Sequence, residues 1–417
     1  MYIPTPLFDS IEYLHPTPAL ERYSSLALTH EQIAPHAATE FDHACTFLYS
    51  YRGSPATFNA YRRELERLFQ WAWFQHNKPI IALNRLDIEA FIEFCQQPIA
   101  SWIGTQHTVR FIEKQGQRHA NPEWRPFVAT VTKQAYKQGR TPNPKHYNLS
   151  QKAVQAIFAV LSSFFNYLIQ EDYLPKNPVA QIRQKSKFVR KQQQSAPIRR
   201  LSELQWRYVI ETAEIMAQSD PSSHERTLFI MQSLYGMYLR ISELAASKRW
   251  IPKMGDFHRD LEGSWWFTTV GKGNKERLIS VSDAMLIALK RFRISLGLTA
   301  LPAPGETLPL LPKLKGRGPM VGTRHIRRIV QTCFDAAILR LQQDGLHDEA
   351  NALQAATVHW LRHTGISEDV KIRPREHVRD DAGHGSSAIT DRYIDIELRA
   401  RHASAKYKRI KPTHEKT

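Results

Sequence analysis

The sequence predicts a chain of two domains that is mainly α-helical, with a small β-hairpin in the second domain. Its 417 residues suffice for two or three domains, and a hydrophobic content of 42% supports ordinary cores. Apolar residues recur at helical spacing along much of the chain, and one run of strand-forming residues around a glycine-rich turn breaks that pattern. A basic stretch without apolar periodicity, residues 183–200, separates the two regions and predicts an interdomain linker.

The chain is strongly basic, which bears on the class of partner that it binds. Lysine and arginine together number 57, against 40 aspartates and glutamates, so the formal charge is +17. An excess of this size favours a polyanionic partner, most simply nucleic acid. The alternative is a basic protein that has no such partner.

Cysteine usage and the apolar runs bear on the cellular compartment. Cys45, Cys95 and Cys333 lie far apart without metal-ligand spacing, which predicts buried thiols and a reducing compartment and gives no sign of a zinc site. Residues 1–18 lack the basic start and apolar core of a secretory signal. Apolar runs such as 157–161 are too short to span a bilayer, so we expect a cytoplasmic protein with no membrane partner.

The first domain is predicted to be a helical bundle over residues 37–182, preceded by a leader of residues 1–36. Five prolines and little periodicity indicate that the leader is loose or packs as an irregular arm. An Asn177-Pro178 turn follows the last helix of the domain. Helices, each with an apolar stripe, are predicted to begin at three positions: Pro55, Arg85 and Ser150.

A basic insertion, residues 101–147, interrupts this domain between two of its predicted helices. It contains two acidic residues, Glu113 and Glu123, and eight basic ones: Arg110, Lys114, Arg118, Arg125, Lys133, Lys137, Arg140 and Lys145. Charges of one sign without compensation are costly unless phosphates neutralise them, which favours a DNA-contacting extension. The alternative is a structural insertion with a solvated face.

The predicted linker carries seven basic residues and no acidic one. A basic strap of this kind can contact phosphates along a duplex without reading bases, whereas the alternative is a linker that is merely solvated. The predicted DNA-binding residues are four linker cations together with one arginine of the first helical stripe and one lysine of the hairpin turn: Lys185, Lys187, Arg190, Lys191, Arg62 and Lys275.

The second domain begins at Leu201 with a capping-box pattern, Ser202 to Gln205. A helix is predicted from about His224, and it leads to the run Leu239-Arg240-Ile241-Ser242-Glu243-Leu244. Glu243 follows Arg240 by three residues, so its carboxylate can accept from the guanidinium and orient it.

Strand-forming runs 264–270 and 277–281 predict a hairpin around a turn that holds Lys272 and Lys275. The residue types alone do not decide which of these lysines is functional. The proline-rich residues 298–322 are predicted to form a surface excursion, and helices are predicted to begin at about Thr323 and Val358.

Several cation-capable side chains and one phenol fall between His359 and Tyr393. His359 and Arg362 are three residues apart and share a face if they lie on a helix, and Tyr393 follows His384 by nine residues. A phenol needs a partner that takes its proton and another that absorbs charge on its target. Arginine and histidine donors suit a phosphate target, because a guanidinium fork matches two phosphate oxygens.

These residues, in this order, resemble the signature of the tyrosine recombinases, the phage-integrase superfamily. That signature has an arginine followed by Ser-Glu-Leu, a lysine on a hairpin, His-x-x-Arg, Gly-His and a nucleophilic tyrosine. The resemblance implies a two-domain, C-shaped DNA clamp, with a helical (SAM-like) core-binding domain over 37–182, a mixed α+β catalytic domain over 201–405 and a basic tail over 406–417. The sequence departs from the family at Tyr238, where a glycine is usual, at Ala382 before Gly-His, and at 365–367.

The resemblance also implies the chemistry of each site residue. Tyr393 would attack a phosphodiester and form a 3′-phosphotyrosyl bond, while Arg240, Arg362 and His384 donate to the non-bridging oxygens. Lys272, the first lysine of the turn, would protonate the leaving 5′-oxygen. His359 would accept the tyrosine proton or support the phosphate. No metal ion, cofactor or ATP would be needed, since the phosphotyrosine keeps the bond energy.

The implied partners are double-stranded DNA and further protomers, as a homotetramer or heterotetramer on paired sites. An accessory recombinase or directionality protein is a possible addition, and the implied setting is integration or excision of a mobile element. One alternative keeps the chemistry but changes the product, as in a type IB topoisomerase-like enzyme or a hairpin-forming resolvase. Another is a non-catalytic DNA-binding protein on this scaffold, against which the intact residue set argues.

Overall fold

The structure is a computed structural model, and it describes residues 2–14, 34–180, 182, 199–271, 275–386, 389–390 and 393. The chain divides into two compact units, Met1–Gln194 (unit 1) and Ser195–Thr417 (unit 2). Several predicted site residues lie outside the described residues: Lys185, Lys187, Arg190, Lys191 and Lys272.

Unit 1 is a helical bundle with two small pairs of strands. Its helices are α1 (Ala34–Tyr49), α2 (Pro55–Phe74), α3 (Arg85–Gln96), α4 (Lys133–Lys137) and α5 (Gln151–Gln170). The predicted helix starts at Pro55, Arg85 and Ser150 are confirmed, the last with Ser150 as the N-cap. The caps explain two of them: Asn84 and Asp87 form a capping box, and the Ser150 hydroxyl accepts from the amide of Ala153.

Helix α5 is long and apolar enough, by length and composition, to cross a membrane. A single helix of this kind is weak evidence for a membrane span, because the core helix of a folded domain can have the same length and composition. In unit 1 the apolar face of α5, including Ile157, Leu161, Phe164 and Phe165, is fully buried in the core with α2 and α3.

The described part of the leader, residues 2–14, packs on unit 1 as an irregular arm. Phe8 is fully buried, with its ring stacked on Phe41 and edge-on to Phe69. The amides of Leu7 and Phe8 donate to the two carboxylate oxygens of the buried Glu66. The sequence left open whether the leader is loose or packs as an irregular arm, and residues 2–14 form a packed arm.

The insertion is held to unit 1 by ion pairs that its own sequence does not reveal. Arg110 donates to Glu66 at 2.5 Å, and Arg118 is paired with Asp9 of the arm at 2.6 Å. The expectation that its positive charges lack compensation is therefore wrong for these two arginines, because acids distant in sequence neutralise them. The insertion pairs β1 (Ile103–Gly104) with β4 (Phe127–Val128), and β2 (Phe111–Lys114) with β3 (Gln117–Ala120).

Unit 2 combines a helical core with a three-stranded antiparallel sheet. Its helices are α6 (Glu203–Ser219), α7 (Pro221–Gly236), α8 (Ile241–Leu244), α9 (Asp283–Ser295), α10 (Thr323–Gln343), α11 (His347–Leu353), α12 (Val358–Asp369) and α13 (Arg375–Ala382). The sheet has the order β5 (Phe257–Arg259), β6 (Trp265–Val270), β7 (Glu276–Ser280). The predicted hairpin is confirmed as β6 and β7, and the capping box of Ser202 and Gln205 forms as expected.

The centre of unit 2 is α7, which is buried on nearly all sides from Glu225 to Leu234 and is packed by α6, α9, α10 and α12. Helix α12 approaches it so closely that a Cβ on Gly365 would come within 2.1 Å of the Tyr235 carbonyl oxygen. Glycine at this position therefore allows α12, which carries several predicted site residues, to lie directly on the core helix.

The proline-rich residues 298–322 are not only a surface excursion. Leu310 and Leu311 are buried in the core of unit 2, and the amide of Leu310 donates to the carbonyl of Pro252. The prediction was wrong here because proline content signals irregular backbone, but it does not tell whether apolar side chains between the prolines are buried.

Candidate active site

One open cleft in unit 2 brings together five of the six predicted catalytic residues: Arg240, His359, Arg362, His384 and Tyr393. Arg240 begins the short helix α8, His359 and Arg362 project from α12, and His384 and Tyr393 follow α13. The side chains and backbone that line the cleft are Arg240, Gly271, Lys275, Glu276, Arg277, His359, Arg362, His363, Gly383, His384, Gly385, Ile389 and Tyr393. Lys272 follows Gly271 directly in the chain but lies outside the described residues.

Glu243 is a buried carboxylate shared by two arginines. It is 1% exposed, and its Oε1 accepts from Nη1 of Arg240 at 3.0 Å, as the spacing predicted. Arg277, on β7, donates to both carboxylate oxygens at 2.9 Å. Oε2 also accepts from the Arg240 amide at 2.7 Å, so Glu243 fixes both the backbone and the guanidinium of Arg240.

Arg362 is held by backbone carbonyls rather than by an acid. It is 2% exposed, and its two terminal nitrogens donate to the carbonyls of Tyr238 and Ala382. Burial, together with the positive charges of Arg240 and Arg277, lowers the pKa of Arg362 to about 9. The guanidinium is therefore fixed in place and lacks a full counter-charge, which favours the binding of an anion.

Tyr238 supplies one of these carbonyls from a strained backbone conformation. Its φ is +50°, in the left-handed region that glycine adopts without cost, and this is the position where the resemblance expects glycine. Its hydroxyl donates to Asp369 and accepts from Arg373 at 2.9 Å. Arg373 is in turn paired with Asp381 at 2.6 Å, so a partly buried polar network holds the loop in this shape.

Tyr393 is packed between two imidazoles at the edge of the cleft. Its hydroxyl is hydrogen bonded to Nδ1 of His363, and its ring is stacked on that of His384 at 5.8 Å between centroids. Nδ1 of His384 shares a hydrogen bond of 2.9 Å with the hydroxyl of Thr390. Tyr393 is only 4% exposed, so its phenol lies inside the site rather than on the surface.

The histidines of the site are held in their neutral form. Burial, followed by the charges of His359, Arg362 and His384, lowers the pKa of His363 to about 3. Burial and the arginines lower the pKa of His384 to about 4, and burial followed by Arg362 lowers the pKa of His359 as well. Neutral imidazoles can accept a proton, and an anion in the cleft would offset the arginine charges that oppose protonation.

Three guanidinium groups, one carboxylate and a buried phenol make this site suited to phosphate chemistry. The arginines can hold two or more oxygens of one phosphate group, and Glu243 orients two of them without occupying the cleft. In the part of the chain that the structure describes, no three histidine, cysteine, aspartate or glutamate side chains are grouped so as to hold a metal ion.

Sequence reasoning missed two members of the site, His363 and Arg277. His363 follows His359 by one helical turn and is adjacent to Arg362, so a helical projection of this segment would have placed it near the same face. Arg277 is the second residue of β7, and only the folded sheet brings it to Glu243, so no spacing in the sequence signals that contact.

No family model matches the chain. Among curated proteins it is similar to tyrosine recombinase XerD from Listeria monocytogenes serotype 4b, with 25% identity over 251 residues, 59% of this chain and 72% of that protein. It is also similar to tyrosine recombinase XerC from Haemophilus ducreyi, with 26% identity over 302 residues, 69% of this chain and 83% of that protein.

The fold is similar to that of a solved structure, the XerH site-specific recombinase bound to palindromic difH substrate in a post-cleavage complex. The alignment covers 96% of this chain and 97% of that chain, with a TM-score of 0.56 and 16% identity. At this identity the likeness concerns the fold, and it extends over both units.

Proposed function

We propose that the chain, a site-specific DNA recombinase of the tyrosine recombinase superfamily, cuts and rejoins double-stranded DNA through a phosphotyrosyl bond at Tyr393. The observation that carries this proposal is the cleft itself. A buried phenol with a hydrogen-bonded imidazole faces three fixed guanidinium groups, which is what attack on a phosphodiester requires.

In the proposed reaction, Tyr393 attacks the scissile phosphorus and the 5′-oxygen departs, leaving the DNA 3′-phosphate on the tyrosine. Arg240, Arg362 and His384 donate to the non-bridging oxygens while negative charge develops on them. Lys272 is proposed to protonate the leaving oxygen, and Lys275, which lines the described cleft, is the alternative donor. Attack by the 5′-hydroxyl of another strand reverses the step and completes strand exchange.

Double-stranded DNA as the partner is supported by charge. Besides the catalytic cleft, a second cleft in unit 1 is lined by several arginines of α2 and the insertion: Arg62, Arg63, Arg67, Arg110, Arg118 and Arg125. Part of this charge is neutralised within the unit, because Glu64, Glu66 and Asp9 pair with four of these arginines. Arg62 donates to the Asp9 carbonyl at 2.7 Å and to Asn59 at 2.8 Å, and neither contact removes its charge. The remaining positive potential favours a polyanion at this surface.

The biological setting and the assembly are further parts of the proposal. We propose integration or excision of a mobile element in the cytoplasm, by four protomers on two duplexes. An attachment site beside the gene would support the setting. The mass of the complex on paired sites would show the number of protomers.

The test uses a nicked DNA duplex that traps the covalent intermediate, in excess EDTA and without ATP. We expect the unaltered protein to form a DNA adduct that survives denaturing electrophoresis. Tyr393→Phe should bind the duplex but form no adduct, because it lacks only the hydroxyl. Tyr208→Phe is the matched control, since Tyr208 is bonded to Asp344 and does not line the cleft. An adduct formed by Tyr393→Phe would contradict the proposal. So would an adduct of the unaltered protein that forms without EDTA and is lost in EDTA.

A further inference from the structure

We propose that His363, which the sequence analysis did not single out, is the base that takes the proton of Tyr393, and that His359 packs against its ring and holds it in position. This inference rests on the proposed function, because it assigns a role within the phosphotyrosyl reaction. It differs from the expectation drawn from the family resemblance, which gave His359 the choice of accepting this proton or supporting the phosphate.

The geometry of α12 carries the argument. His363 Nδ1 is hydrogen bonded to the Tyr393 hydroxyl, which is the reacting oxygen. The ring of His359, one helical turn earlier, meets the ring of His363 edge-on with centroids 4.2 Å apart. A general base has to lie within hydrogen-bond reach of the proton that it removes, and Nδ1 of His363 lies within that reach of the Tyr393 hydroxyl.

The surroundings keep His363 in the state that a base needs. The positive or protonatable groups around it are His359 and Arg362 on its own helix and His384 from the segment after α13. These groups and burial disfavour an imidazolium, so one ring nitrogen carries no proton, and Nδ1 is that nitrogen in the tautomer that accepts from the Tyr393 hydroxyl. A phosphodiester bound to Arg240 and Arg362 would offset these charges and thereby stabilise the imidazolium that forms during attack.

The Tyr393 oxygen forms a bond to phosphorus while its proton moves to Nδ1 of His363, and the bond between phosphorus and the 5′-oxygen breaks with that oxygen taking a proton from a lysine. On rejoining, the 5′-hydroxyl gives its proton back to the lysine as its oxygen bonds to phosphorus, the bond between phosphorus and the tyrosine oxygen breaks, and His363 returns its proton to that oxygen. No oxidant, reductant or further reactant is needed.

The experiment compares His363→Asn with His363→Ala in single-turnover adduct formation on the trapping duplex. The asparagine amide occupies nearly the position of Nδ1 and keeps a hydrogen bond to Tyr393, but it cannot take a proton at neutral pH. If His363 only positions Tyr393, the asparagine variant retains the rate. If His363 is the base, both variants lose roughly 10²- to 10⁴-fold in rate.

A second measurement separates loss of a base from damage to the fold. Tyr393 is replaced by a fluorinated tyrosine, whose phenol is more acidic and depends less on a base. We expect this replacement to restore most of the lost rate in His363→Asn, and not in His359→Ala or in a variant of Arg362. His347→Asn, an exposed histidine at the start of α11, is the matched control and should keep the full rate.

The outcomes are distinguishable. If the unaltered protein forms no adduct on any duplex, the proposed function fails. If it forms the adduct and His363→Asn does so equally fast, or if fluorination rescues His359→Ala but not His363→Asn, the proton goes elsewhere and the role of His363 is refuted. Slow His363→Asn that the fluorinated tyrosine rescues would establish it as the base.

Discussion

Replacing Glu243 with alanine should destabilise unit 2 far more than the loss of an exposed ion pair does. The carboxylate is buried, accepts from Arg240 and Arg277, and is the acidic group between them. Its removal leaves two guanidinium groups close together, one of which, Arg277, has an exposed side-chain fraction of only 11%. The free-energy cost of removing both guanidinium groups from water then remains, but their electrostatic attraction to the carboxylate is lost.

The expected magnitude follows from that geometry. Removing one partner of a buried, hydrogen-bonded ion pair costs about 3–5 kcal/mol of the free energy of unfolding. For a domain of about 150–250 residues, each kcal/mol lowers the melting temperature by about 2–4 °C, so the loss should be about 6–20 °C. Arg277→Met should cost less, since Glu243 then keeps its bonds to Arg240.

The assay is denaturant and thermal unfolding at neutral pH, followed by fluorescence of the tryptophans. Glu211→Ala is the control, because Glu211 also pairs with an arginine, Arg340, at 3.3 Å, but has 44% of its side chain exposed. Exposed pairs contribute about 0–1 kcal/mol. Added sulfate should recover part of the stability of Glu243→Ala, since an anion can take the place of the carboxylate between the arginines.

Equal stabilities of Glu243→Ala and Glu211→Ala would refute this reasoning. That result would mean that Arg240 and Arg277 find other partners or reach solvent when the carboxylate is absent. Glu243 would then have little part in building the site.

Two further predictions concern proton transfer and pH. On ordinary DNA, Lys272→Ala should cleave about 10² to 10⁴-fold more slowly than the unaltered protein, and it should regain this factor on DNA with sulfur in place of the bridging 5′-oxygen. Lys275→Ala should slow the cleavage of both substrates alike. The opposite pattern would make Lys275 the acid. In the folded chain the pKa values of His363 and His384 lie near 3 and 4, whereas the unfolded value is about 6.5. Between pH ~6.5 and pH ~4, therefore, these two histidines take up protons only in the unfolded chain. The free energy of unfolding should therefore be highest above pH ~6.5 and fall towards pH ~4, by up to about 1.4 kcal/mol per pH unit for each histidine. The fall should be shallower in His384→Asn, and identical slopes would contradict the lowered pKa values.

The sequence predicted best those features that depend on neighbouring residues. The helix start at Pro55, the capping box of Ser202 and the strands of the hairpin follow from residues a few positions apart, and all are confirmed. The sequence also predicted that five distant residues share one cleft: Arg240, His359, Arg362, His384 and Tyr393. This prediction came from the resemblance to the family signature, because the spacing of these residues does not by itself show that they meet.

Contacts between distant segments could not be predicted in this way. The bond from His363 to Tyr393 depends on how the chain turns back after α13, and the bond from Arg277 to Glu243 depends on how β7 lies beside α8. The positive φ of Tyr238 was signalled only as a departure from an expected glycine. The structure gives its physical meaning, since the hydroxyl of Tyr238 is bonded to Asp369 and Arg373, contacts that a glycine could not make.

The carboxylate of Glu66 ties together three stretches of unit 1 that are separate in the gene. It accepts from the amides of Leu7 and Phe8 in the arm, from Arg110 in the insertion and from Gln70 on its own helix. A lineage that deleted the insertion would leave this fully buried acid short of its counter-charge, and one that lost the arm would leave its oxygens without two amides. Arm, insertion and Glu66 should therefore be inherited together, and descendants that lack one should also have replaced the glutamate with an uncharged residue.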